Sequence, residues 1–238
     1  MEQEQVDSHF ATTAWTMLRG SEGDSTRSQG QLDRLCRIYW YPVYAFIRKR
    51  TERVEDAQDL CQIFFTEYIV DRRIHRKARS EAGKFRTFLL ACVKNFLVAE
   101  HRIRIAQKRG GGMTRVSFEE LEHVYMTERS EGRDPAEVFD RAWARTVFDS
   151  VWSEIEKSYL AKEKGAQFEV LKEHMMGGGE GLLREKALEL GLTEGGLKKA
   201  AFDLRARFRV TLREAVAKVV EHPEEIDAEI SHLIQVIR

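Results

Sequence analysis

The chain has 238 residues, 42% of them hydrophobic and 33% charged, with 39 Lys and Arg balancing 39 Asp and Glu. That length holds one large domain or two small ones, and that apolar share is enough for a packed core, so a disordered chain is excluded. Three scattered cysteines, Cys36, Cys61 and Cys92, lack metal-ligand spacing, and no run approaches the roughly 18 apolar residues of a membrane span.

The opening MEQEQVDSHF has no basic segment followed by an apolar run, so no targeting peptide is expected and the expected compartment is the cytoplasm. Thr12 to Leu18 reads as a short helix, and Gly20 to Gly30 as a turn region. Leu32, Leu35, Cys36 and Tyr39 start a helix that Pro42 is expected to kink or interrupt; Val43, Phe46 and Ile47 resume it up to the charged RKRTER turn. Asp56 to Val70 predicts a helix with Ala57, Leu60, Phe64 and Ile69 inward. Arg72 to Gly83 is basic and expected to be partly looped. Phe85 to Arg109 predicts a long helix, apolar first and basic later, stopped by Gly110, Gly111 and Gly112.

Met113 to Pro135 is polar, acidic and weakly periodic, which predicts a linker. From Ala136 a second helical set begins, with Val138, Phe139, Ala142, Trp143, Val147, Val151 and Ile155 on one side. Gln167 to Met176 is a further helix. The sequence thus predicts an all-α protein: an N-terminal unit over 1–112, a linker over 113–135, a helical unit over 136–220 and an acidic tail over 221–238.

Charge is partitioned along this plan. From Arg72 to Arg109 there are twelve Lys/Arg against two Glu, a local charge of +10. Glu119 to Asp140 carries eight acids against two Arg, and Glu221 to Arg238 five acids against one Arg. A dense basic block on a folded domain is the electrostatic footprint of a nucleic-acid face. The acidic segments have the sign needed to shield it in the free protein.

Three constellations carry chemistry. In Leu182 to Leu212 a helix ends at Gly191, which suits a tight left-handed turn, and Thr193 is a good N-cap for the next helix. Leu197, Ala201, Leu204, Phe208 and Leu212 form its apolar stripe, and Lys198, Lys199, Arg205, Arg207, Arg209 and Arg213 the other face. This is the pattern of a helix–turn–helix with a basic recognition helix, or of an ordinary helical hairpin with a solvated charged face. In Lys84 to Arg109, Phe85, Phe88 and Phe96 interleave with Lys84, Arg86, Lys94 and Asn95, and Arg102, Arg104, Lys108 and Arg109 follow. Aromatics that stack on unpaired bases beside cations that track a backbone suit single-stranded nucleic acid; the same Phe residues also suit a core. In DAQDLCQIFF, Asp59 and Gln62 share a helix face beside aromatics, as at a protein interface or a solvated face.

The stretches YWYPVYAFIR, DLCQIFF and KFRTFLLACVKNFL, in this order and followed by the helix–turn–helix pattern, resemble the sigma-70 family of bacterial transcription initiation factors, of the extracytoplasmic-function type. The resemblance covers about three quarters of the chain. It implies two helical domains, one like the family's region two over 35–110 and one like its region four over 140–215. It implies that Asp59, Gln62, Phe64 and Phe65 grip core RNA polymerase. It implies that Lys84, Phe85, Arg86, Phe88 and Asn95, with Arg102, Arg104, Lys108 and Arg109 on the backbone, hold a melted promoter strand. Thr193, Lys198, Lys199, Arg205, Arg207 and Arg209 would serve the helix–turn–helix on duplex promoter DNA.

The chain departs from the family pattern at Gln58 and Ile63, where acids are usual, at Lys186, where an apolar residue is usual, and at Asp203, where Arg is usual. The implied partners are core RNA polymerase and promoter DNA, with an anti-sigma or other regulatory protein as a further one. No metal, cofactor or catalytic residue is expected: the 177–181 glycine run lacks the Lys-Ser/Thr of a phosphate loop, and no nucleophile–base pair is visible. A stand-alone helix–turn–helix regulator and a sigma-derived interaction module remain open as alternatives.

Overall fold

The computed structural model describes residues 25–71, 84–106, 119–127, 132–220 and 223–237. Their secondary structure is helical throughout, with no strand among the described residues. The chain divides into two compact units. One holds the described residues up to Thr146 together with those from Ala217 onward, and the other is Val147–Val216. Among the described residues no helix is long and apolar enough to cross a membrane.

In the first unit, α1 spans Ser25–Arg48. It begins inside the expected turn region and runs through Pro42 as one helix. The interruption expected at Pro42 does not occur: Tyr41 to Ile47 are buried without a break, and packing on both sides of the proline outweighs the single amide donor it lacks. Helix α2, Val54–Ile63, passes directly into a π-helical segment, Phe64–Asp71. The inward set Ala57, Leu60, Phe64 and Ile69 is buried as its spacing requires. The π segment winds more residues into each turn, so the adjacent Phe64 and Phe65 both reach the core.

Helix α3 spans Phe85–Ala106. Phe96 closes on Phe64 and Tyr68 with ring centroids 5.4 and 5.0 Å away, and Phe85 meets Tyr39 edge-on at 5.3 Å. Trp40 stacks on Phe65 at 4.5 Å. The aromatics of the opening stretches are therefore one interlocked core whose edge-to-face and offset pairs add to simple burial.

A short helix, α4 at Glu119–Thr127, stands where a linker was expected. Arg48 Nε donates to both oxygens of Glu122 at 3.1 Å, the Tyr44 hydroxyl donates to the same carboxylate, and Arg48 lies over the Tyr125 ring at 5.4 Å. Its weak periodicity hid this because α4 is held by one carboxylate and the buried Tyr125, not by an apolar stripe. The expected acidic tail is likewise a folded element. After a 3₁₀ turn at Pro223–Glu225, α9 spans Ile226–Ile237 and buries Ile226, Glu229 and Leu233 within the first unit.

Helix α5, Pro135–Leu160, carries the boundary between the units within its length. Val138, Phe139, Ala142, Trp143, Val147, Val151 and Ile155 are all buried, as their periodicity predicts. The second unit continues with α6 at Gly165–Met175, α7 at Gly179–Glu189 and α8 at Glu194–Ala217. Helices α5, α6 and α7 end alike. Amides of Lys164, Gly178 and Leu192 reach back to the carbonyls of Tyr159, Glu173 and Ala187, with Glu163, Gly177 and Gly191 at positive φ before them. That closure satisfies carbonyls the helix end leaves open.

Candidate nucleic-acid interface

The second unit contains the better-formed surface. Gly191, at φ 65°, turns the chain between α7 and α8, and Thr193 Oγ1 accepts the Gly196 amide at 3.1 Å. A Cβ on Gly196 would stand 3.0 Å from that oxygen, so glycine keeps the cap close. Leu197, Ala201, Leu204 and Leu212 are buried, and Phe208 packs between Trp152 at 4.6 Å and Phe148 at 5.9 Å. With its apolar stripe turned inward, α8 presents Lys198, Lys199, Arg205, Arg207, Arg209 and Arg213 to solvent. The cap binds the start of α8 to the turn, and the turn sets the angle at which this face is offered.

Acids on and near this face adjust its charge. Lys198 pairs with Glu194 at 2.9 Å, and Arg205 Nη2 lies 3.0 Å from His174 Nε2. Asp203 is exposed, and Lys186 pairs with Glu189 at 2.9 Å on α7. Sequence reasoning missed Phe202, which is 69% exposed and shares a helix face with Lys198, Arg205 and Arg209. Its signal was available: four residues after Lys198, it falls outside the buried stripe. A bare aromatic ring amid cations is suited to apolar contact with a thymine methyl in a major groove.

The first unit treats its predicted site residues differently. Phe85 is fully buried against Tyr39, and Phe88 is half-buried with its ring 6.1 Å from that of Phe85. Stacking of Phe85 on a base does not fit this structure, because the ring is core. Phe64 and Phe65 are core as well, which removes them as polymerase contacts and leaves exposed Asp59 and half-buried Gln62 on that helix. Asn95 and Arg102 are exposed on α3. Arg102 also lines an open cleft of about 400 Å³ with Arg50, Leu60, Val98 and His101. The side chain of Arg104, and Lys108 and Arg109 entirely, lie outside the described residues.

Lys84 and Arg86 are engaged inside the unit. Lys84 pairs with Glu229, and Arg86 Nε donates to the other oxygen of the same carboxylate at 2.8 Å. Arg86 Nη1 donates to Asp140 at 2.6 Å, and its guanidinium lies 5.3 Å from the Trp143 ring centre. His232 Nε2 sits 3.5 Å from the second oxygen of Asp140, too long for a good hydrogen bond but within ion-pair range. Burial pushes the Glu229 carboxyl up, but Lys84 and Arg86 outweigh it and hold the group below the usual carboxylate range. For His232, burial and the Arg86 charge both push the imidazole below its ordinary value.

The acids that define this network were legible only as charge. Glu229 lies among Ile226, Ile230 and Leu233 at helical spacing, an acid on an apolar face that calls for a buried cation. Among the described residues no group of three or more His, Cys, Asp or Glu is arranged to hold a metal ion. Cys36, Cys61 and Cys92 are not joined in disulfides, and burial pushes the thiols of Cys61 and Cys92 up, the latter to about 11. No protein-family model, curated protein or solved structure matches this chain.

Proposed function

We propose that this chain is a bacterial transcription initiation factor similar to the extracytoplasmic-function sigma factors, acting in the cytoplasm. In this reading it binds core RNA polymerase, recognises promoter DNA and helps to melt it. The observation that carries the reading is the capped α7–turn–α8 unit, with its inward apolar stripe and outward basic face. Lys198, Lys199, Arg205, Arg207 and Arg209 serve that face on duplex DNA, some at base edges and the rest at phosphates. Asp59 and Gln62 contribute to the polymerase contact. Exposed Asn95 and Arg102 lie along the path of the melted strand, where capturing an extruded base offsets the few kcal/mol spent unstacking it.

The test is co-migration of the purified chain with core RNA polymerase on size exclusion at moderate salt. A stable complex is expected. Duplex binding by the chain alone, with no polymerase complex, would favour a stand-alone helix–turn–helix regulator, a reading that the exposed basic face of α8 also supports.

A further inference from the structure

We propose that Glu229 occupies the place of a nucleic-acid phosphate at the start of α3, making α9 an intramolecular competitor for single-stranded nucleic acid. The inference rests on the nucleic-acid reading above and adds a specific control to it. The site is already built for an anion. Lys84 and Arg86 converge on one carboxylate, and they stand at the N-terminal end of α3, the positive end of the helix dipole. Glu229 fills it with an oxyanion of the chain's own, its side chain only 3% exposed.

The site also leads somewhere. Lys84, Asn95 and Arg102 recur at helical spacing along one face of α3, and Asn95 and Arg102 are open to solvent. A strand tracking that face would meet Lys84 next. The Lys84 side chain is 32% exposed, so a phosphate can reach it from solvent beside the Glu229 carboxylate.

The seat of α9 is light enough to yield. Within the helix only Ile226, Glu229 and Leu233 are buried. Arg141 Nη1 donates to the Val236 carbonyl at 2.8 Å, and a cleft of about 340 Å³ opens along the seam between α5 and α9, lined by Arg133, Glu137, Asp140, Arg141, His232 and Val236. Displacing Glu229 also leaves Arg86 its second partner, Asp140 at 2.6 Å, so that guanidinium keeps a counter-charge during the exchange.

The test measures binding of a fluorescein-labelled single-stranded oligonucleotide of mixed sequence to the full chain by anisotropy at several salt concentrations. Glu229→Gln keeps the side-chain shape and removes the competing charge. It is expected to raise affinity several-fold at low salt. Unchanged or weaker affinity, or no binding by either form, overturns the proposal.

Because Glu229 is buried, a second measurement uses the unmutated chain. Saturating oligonucleotide is expected to speed hydrogen exchange across Ile226–Ile237, and retained protection at saturation overturns the competitor. The two readings separate cleanly. A chain that joins core polymerase but shows neither effect keeps the proposed function and loses the competitor. A chain that shows both effects without a polymerase complex keeps the competitor and loses the sigma-type function.

Discussion

The start of α3 and the face of α8 are both runs of Lys and Arg interleaved with aromatics, yet the fold puts them to opposite uses. On α3, Arg86 is 11% exposed and is held by two acids from distant parts of the chain, Asp140 and Glu229. On α8, Lys199, Arg207 and Arg209 stand exposed over a stripe that buries nothing charged but is closed by Leu197, Leu204 and Leu212. The aromatics divide in the same way: Phe85 is core, whereas Phe202 is 69% exposed. A local excess of positive charge therefore counts as a binding surface only after the acids that fold back on it are subtracted. For α3 those acids arrive 54 and 143 residues later in the chain.

The largest expected effect comes from breaking the engaged cation. Arg86→Ala leaves Glu229 and Asp140 without their shared partner, one of them buried, and is expected to destabilise the first unit by about 3–5 kcal/mol. Urea melts check this. A loss below about 1 kcal/mol would mean that the network is exposed enough for water to replace the guanidinium. The comparison would then weaken, because Arg86 would resemble the cations of α8.

Acid should attack the same region. The Glu229 carboxyl lies below its unfolded value, so its stabilisation is complete above the unfolded carboxyl range and is lost as pH falls through the folded value. His232 also titrates below its ordinary 6.5, so the unfolded chain takes that proton first and stability falls as pH drops from about 6.5. Lys84, Arg86, Asp140, Glu229 and His232 face one another here, and both titrations weaken the fold in the same direction. His232→Gln is expected to flatten the dependence of stability on pH between 7.5 and 5.5, as read from urea melts. An unchanged slope would place the proton uptake on another group.

What the sequence reveals follows the range of the interactions involved. Periodicity identifies Val138 to Ile155 and Leu197 to Leu212 as buried stripes, because each residue of a stripe is fixed by its near neighbours. Gly191 and Thr193 are readable for the same reason: the turn and the cap are made within a few residues. The docking of α4 and α9 is not readable in this way. Glu122 finds Tyr44 and Arg48 across more than 70 residues, and nothing in the local pattern of 113–135 reports it. The same holds for Pro42, where local chemistry argues for a break and tertiary burial of both flanks overrides it.

A smaller effect tests whether the α8 surface depends on its cap. Thr193→Ala removes the acceptor of the Gly196 amide and is expected to cost about 1 kcal/mol in the second unit. Thr193→Ser keeps the hydroxyl and should restore most of it. Duplex affinity should fall with the alanine variant and recover with serine. Loss of affinity in both would assign Thr193 a direct contact in place of a capping role.

The smallest change in stability should accompany the clearest change in binding. Lys199 and Arg209 are exposed, so replacing both with alanine is expected to move stability by no more than about 0.5 kcal/mol per site. If both meet phosphate, the log–log salt slope of duplex binding falls by about 1.8, close to 0.9 for each released contact. If one reads a base edge, the slope falls less and discrimination among duplex sequences relaxes instead. An unchanged slope with unchanged discrimination would make the α8 face a solvated one. The contrast with α3 would then be between a buried charge and an idle charge, and the nucleic-acid surface would have to be sought along Asn95 and Arg102.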